Sequence, residues 1–110
     1  MSILYAMRRA NGDWFALDER GDFRVPVFSS SRDGMLARSR NTEMLLFQPA
    51  ELDEGALGDL GRSGGDGVHY WLVENPFSAL KRGRRIDHPQ LVALAQEAAL
   101  QARGRPLNQI

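Results

Sequence analysis

The chain has 110 residues, 43% apolar and 25% charged, and its 14 cationic and 14 acidic side chains cancel to a formal charge of zero. This length and composition predict one folded domain, spanning 1–110, that buries about two-thirds of its unfolded surface, and they argue against disorder. With no cysteine, disulfides, thiol nucleophiles, zinc–thiolate sites and iron–sulfur clusters are excluded, and the zero net charge gives no global pull toward nucleic acid or anionic membranes.

Ile3 to Arg8 alternates apolar and mixed positions and predicts a first strand. Asn11-Gly12 follows, a dipeptide suited to a type I′ turn because both residues tolerate positive φ. Trp14 to Leu17 predicts a second strand. A five-residue turn, Asp18-Glu19-Arg20-Gly21-Asp22, leads to a third strand, Phe23 to Phe28. Pro26 lacks an amide donor, which predicts an edge or bulged position for that strand.

Ser29, Ser30 and Ser31 can accept hydrogen bonds from first-turn amides, so a helix is expected to begin there and to fray by Asn41. Gly34 weakens this helix by roughly 1 kcal/mol relative to alanine. The apolar run Met44-Leu45-Leu46-Phe47, closed by Pro49, predicts a buried strand. Leu52, Leu57 and Leu60 predict a second short helix. Gly61 to Gly67 is expected to be a flexible linker. Val68 to Val73 is apolar on both faces, so a central strand is expected, broken by Asn75-Pro76.

The last element is the clearest helix. Asp87 is its predicted cap, Pro89 fits its first turn, and Leu91, Leu94, Ala95, Ala98 and Ala102 recur at helical spacing. Gly104 and Pro106 end it, and residues 104–110 are expected to form a loose tail. The order is βββ-α-β-α-β-α. It predicts an α+β domain with a mainly antiparallel sheet of about five strands and helices on one face.

Candidate chemistry is sparse. Lys81, Arg82, Arg84 and Arg85 place four cations in five residues before a helix cap, which suits a phosphate, an acidic partner or nucleic acid. Asp87 at the same end opposes an anion. Thirteen of the 14 cations are arginine, a bias that GC-rich coding also explains. The glycine run lacks the spacing of a P-loop or dinucleotide fingerprint and precedes a strand. His69 reads as a hydrogen-bonded strand residue and His88 as part of a helix start. Neither has the spacing of a triad with Ser29 to Ser31, so no catalytic residue, metal or cofactor is assigned. A small hydrolase would need one of these rings beside a pocket carboxylate. Asp13, Asp18, Glu19, Asp22, Asp53, Glu54 and Asp59 sit at turns and helix starts, where local structure explains them. Trp14, Phe15, Tyr70 and Trp71 read chiefly as core residues, and an uncovered sheet face would instead offer one of them, Trp14 or Trp71, to a partner.

No apolar run reaches the roughly 20 residues of a membrane span, and the arginines follow the short apolar start, the reverse of a signal peptide. A cytoplasmic location is expected.

The residues Trp14, Ala16, Leu17, Gly21, Val25, Pro26, Val27 and Phe28, with Leu45, Leu46, Pro49, Leu52, Leu57 and Leu60, resemble a family of small uncharacterised bacterial domains in which a Trp-bearing strand and turn precede a "PVW/PVF" strand. Pro26 to Ser30, with Glu74-Asn75-Pro76, is also similar to the N-terminal domain of SseB-type proteins. Both resemblances rest on apolar and turn positions, so they imply a fold and no catalytic residue. The expected function is a non-enzymatic protein-interaction or adaptor module binding another protein or a second copy of itself. The alternative is a nucleic-acid or phosphoanion binder centred on residues 81–85.

Overall fold

The first half of the sheet is set by two tight reversals. The structure, a computed structural model, describes residues 4–64, 68–74 and 83–102. After strand β1 (Tyr5–Arg9), the Asn11 side-chain oxygen accepts the Asp13 amide at 3.0 Å. Gly12 takes φ +95°, and the Arg9 amide bonds the Asp13 carbonyl. Asn11 is not at positive φ, so the expected type I′ turn is absent here: one glycine and an Asx bond close the reversal. The type I′ signature occurs instead at Arg20-Gly21, with φ +56° and +92°. There β2 (Leu17–Glu19) meets β3 (Asp22–Phe28), with Glu19 opposite Asp22. The expected five-residue turn is thus a two-residue hairpin loop. Of the expected second strand only Leu17 lies in β2, while Trp14 forms an isolated bridge with Arg8.

β3 is interior and keeps an unbroken register with β5, which corrects the edge or bulged position expected from Pro26. On one side it pairs in parallel with β5 (Val68–Val73). Its other side is shared: Val27 and Phe28 pair with β1, and residues 22 to 24 pair with β2. Pro26 stands in the interruption between those two partners, where the ladder has no pair to lose.

Ser30 caps α1 (Ser31–Arg40) by accepting the Asp33 amide at 3.1 Å. A 3-10 turn over Thr42–Met44 follows, and β4 is Phe47–Glu51. The strand expected at Met44 to Phe47 is therefore displaced, and Pro49 lies inside it. β4 is a sheet edge, and the Leu52 amide bonds the Leu4 carbonyl at 2.8 Å. Antiparallel alternation then turns the backbone groups of Phe47, Pro49 and Glu51 outward. Proline is tolerated there, and it removes a donor from the free edge.

Asp53 accepts the Ala56 amide at 2.8 Å and starts α2 (Glu54–Gly64), which runs through the first four residues of the expected glycine linker. Residues 65–67 lie outside the described residues. A sixth strand, β6 (Gly83–Ile86), pairs antiparallel with β5 where a basic loop was expected. Asp87 then caps α3 (His88–Ala102). Its carboxylate accepts the Gln90 amide at 2.8 Å while Gln90 accepts the Asp87 amide at 2.9 Å, a reciprocal capping box. The expected tail, 104–110, lies outside the described residues.

The result is an α+β fold with an open, mixed, mostly antiparallel six-stranded sheet ordered β4-β1-β3-β5-β6, β2 pairing with β3. Helices lie on both faces, which corrects the one-face expectation. Ala6, Val25, Val27, Tyr70 and Ile86 pack with α2 and α3 residues Leu57, Leu60, Leu91 and Ala95. Met7, Phe28 and Val73 pack on the opposite face with Ala37 of α1 and Met44. The neighbours Ala6/Met7 and Val27/Phe28 are all buried. Strands apolar on both sides need cover on both sides.

Candidate functional site

Three places on this framework bring functional side chains together. The first is an open cleft of about 640 Å³ beside the first reversal. It arises where β1 departs from β3 and residues 14 to 16 run past the gap. The rings of Trp14, Phe15, Phe23 and Phe47 line it, with Arg9, Asp13 and Glu43 among the charged residues. Phe15 and Phe47 meet edge-on, with centroids 5.3 Å apart. Arg9 donates to the Asp13 carboxylate at 2.6 Å. That bond first, and the Asn11 amide second, hold the Asp13 carboxyl below its ordinary 3.8. The Arg9 guanidinium also lies 5.5 Å from the Phe47 centroid.

Trp14 is partly buried, and its indole nitrogen has no hydrogen-bond partner among the described residues. The Arg8 guanidinium sits 4.3 Å from the centre of its ring. Arg8 also donates to the Gly12 carbonyl at 2.8 Å and to Asp59 of α2 at 2.8 Å. Asp59 accepts from Arg62 as well, and these bonds, Arg8 first, hold its carboxyl below 3.8. Trp14 is thus a wall of the cleft and packs against the core cluster that holds Leu57 and Leu60 of α2.

The second place is the β3–β5–β6 end of the sheet face that α1 partly covers. Register puts Arg24 opposite His69 and Trp71 opposite Arg85. Arg24 stacks on the Trp71 ring, 4.6 Å from its centre. The Arg85 guanidinium lies within hydrogen-bond distance of the His69 Nε2. A β-carbon on Gly83 would meet the Trp71 indole nitrogen, so that ring lies against bare backbone. Of the expected basic cluster, two members are placed. Arg84 pairs with Leu72 and Arg85 with Trp71, so strand alternation sends the two to opposite faces. Lys81 and Arg82 lie outside the described residues.

The third place was not expected from the sequence. Met35 on α1 is 43% exposed, and Leu45 and Leu46, between the 3-10 turn and β4, are 55% and 75% exposed. Arg38 binds the first two together: its guanidinium touches the Met35 sulfur at 3.8 Å and donates to the Leu45 carbonyl at 2.8 Å. The sequence carries no local signal for it, because the run Met44 to Phe47 is apolar throughout and reads as core at every position.

The histidines take other partners than carboxylates. His88 bonds the Leu57 carbonyl at 3.0 Å and packs on Tyr70, joining α2, β5 and α3. Among the described residues, neither ring is hydrogen-bonded to a carboxylate, and no group of three His, Asp or Glu is placed to hold a metal. No described helix is long and apolar enough to cross a membrane. Comparison with family models, curated proteins and solved structures finds no match.

Proposed function

We propose that the chain is a non-enzymatic protein-interaction module whose partner, another protein or a second copy, covers Met35, Leu45 and Leu46. The observation that carries this reading is the exposure of two consecutive leucines, with Leu46 at 75%. Fully covering a leucine side chain is worth about 2 kcal/mol. Contiguous exposed apolar groups of this kind are the usual mark of a protein contact. Pro49 disfavours simple strand addition at the neighbouring edge, so the contact is made by side chains. A photo-crosslinking residue in place of Leu46 tests the reading, since it joins the chain to the partner only if that surface is covered.

A second reading has its own observation: Arg24 and Arg85 flank Trp71 on one sheet face. Two guanidinium groups beside an aromatic ring suit a phosphoanion or a nucleic acid. This reading predicts binding to single-stranded oligonucleotides that falls steeply with salt and is lost in Arg85→Glu. Salt-independent binding, or binding unchanged in the variant, removes it. The resemblance to SseB-type N-terminal domains belongs to the same proposal. The Pro26–Ser30 junction supports it, with a strand ending at Phe28 and a helix capped by Ser30.

A further inference from the structure

The aromatic cleft lies on the first reversal and involves none of the exposed leucines. Its 640 Å³ falls within the range of small-molecule sites. Its ring-bearing walls come from separate segments: Trp14 and Phe15 follow the reversal, and Phe47 begins β4.

The charges around it are unequal. Two guanidinium groups stand at it and each is already paired, Arg9 with Asp13 and Arg8, over the Trp14 wall, with Asp59, which leaves the Glu43 carboxylate in excess among the lining residues. Ring faces carry negative potential and attract cations. Here they do so within the chain itself, with Arg8 over Trp14 and Arg9 over Phe47. An anion entering the cleft would meet Glu43 and Asp13 and would have to draw Arg9 away from both Asp13 and Phe47.

We propose that this cleft binds a small organic cation, an ammonium or guanidinium group carried on an apolar body. The body lies among the rings, and the positive group is held by Asp13, Glu43 and the ring faces. The proposal stands apart from the protein-interaction reading and survives its failure, because the two surfaces share no residue.

Three probes of similar size separate the alternatives: benzyltrimethylammonium, neutral 3-phenylpropan-1-ol and anionic 3-phenylpropionate. Each is titrated into the full chain while backbone amide resonances are followed by NMR. The expected result is a saturable shift of the amides of residues 9, 12–16, 43 and 47 that exceeds any shift at Leu45 and Leu46, with the ammonium binding most tightly and the carboxylate most weakly. Glu43→Gln is expected to weaken ammonium binding about three-fold, the scale of a partly exposed charge interaction. Arg9→Ala is expected to tighten it by a similar factor, because it frees the Asp13 carboxylate and the Phe47 face. Both replaced side chains lie at the protein surface, and their spectra report directly whether the fold is kept. The proposal is overturned if the carboxylate or the alcohol binds as tightly as the ammonium. It is equally overturned if the shifts fall outside the cleft or are absent, or if Arg9→Ala weakens ammonium binding.

Discussion

Arg8 shows how far one side chain reaches in this fold. It donates to the Gly12 carbonyl beside it in sequence and to Asp59, 51 residues away, while its guanidinium lies over Trp14. The carboxyl of Asp59 is held below 3.8 by this bond and by Arg62. A carboxyl lowered in the folded state favours folding above its unfolded pKa, and that contribution fades as pH falls through the folded value. Asp59→Asn is therefore expected to lower the urea midpoint at neutral pH, with the gap to wild type closing as pH drops below 3.8. A gap constant across that range would show that the charge on Asp59 contributes nothing. At this scale the legible features were local ones. Ser30 and Asp87 were readable as caps because their partners lie three residues on. The Arg8–Asp59 pair was not readable, because nothing within a few residues of either names the other.

At the scale of elements, α1 depends on a close approach. A β-carbon on Gly34 would stand 3.1 Å from the Pro49 ring and 3.2 Å from the Met7 sulfur. Alanine would gain roughly 1 kcal/mol of helix propensity. Pressing a methyl group on a rigid proline ring and a fully buried methionine costs about 1–3 kcal/mol. Gly34→Ala is expected to lower the urea midpoint, the packing loss exceeding the propensity gain. A raised midpoint would mean that α1 shifts freely over β4. The glycine reads as a flaw in the sequence and is a contact requirement in the fold. Other elements misread for related reasons. β6 carries two arginines in four residues and looks like a solvated loop, yet it pairs with β5. The glycine run continues α2 because Leu57 and Leu60 anchor the helix on the sheet. β4 begins at Phe47 because the 3-10 turn uses the residues up to Met44.

At the scale of the whole molecule, the α+β class, the antiparallel bias and the three main helices were legible from periodicity and caps. The parallel pairing of β3 with β5 was not, since α1, β4 and α2 intervene and only tertiary packing specifies it. Nor was the division of helices between two faces, although paired neighbours such as Ala6/Met7 carried the hint. Of the candidate sites, Trp14 and Trp71 were singled out as aromatic residues, but cleft and stacked surface exist only once strands are placed side by side. The exposed leucines were read as core because a short apolar run does not declare which of its members the fold will cover. They carry the proposal that the molecule works through a protein contact at Met35, Leu45 and Leu46. The most direct test places a photo-crosslinking residue at Leu46 in one version of the chain. A second version carries it at the exposed Glu97 on α3, on the opposite sheet face. Irradiation in the native cell is predicted to give a discrete adduct from position 46, abolished by Leu45→Ser, and none from position 97. No adduct at 46, or the same adducts from both positions, would contradict the proposal.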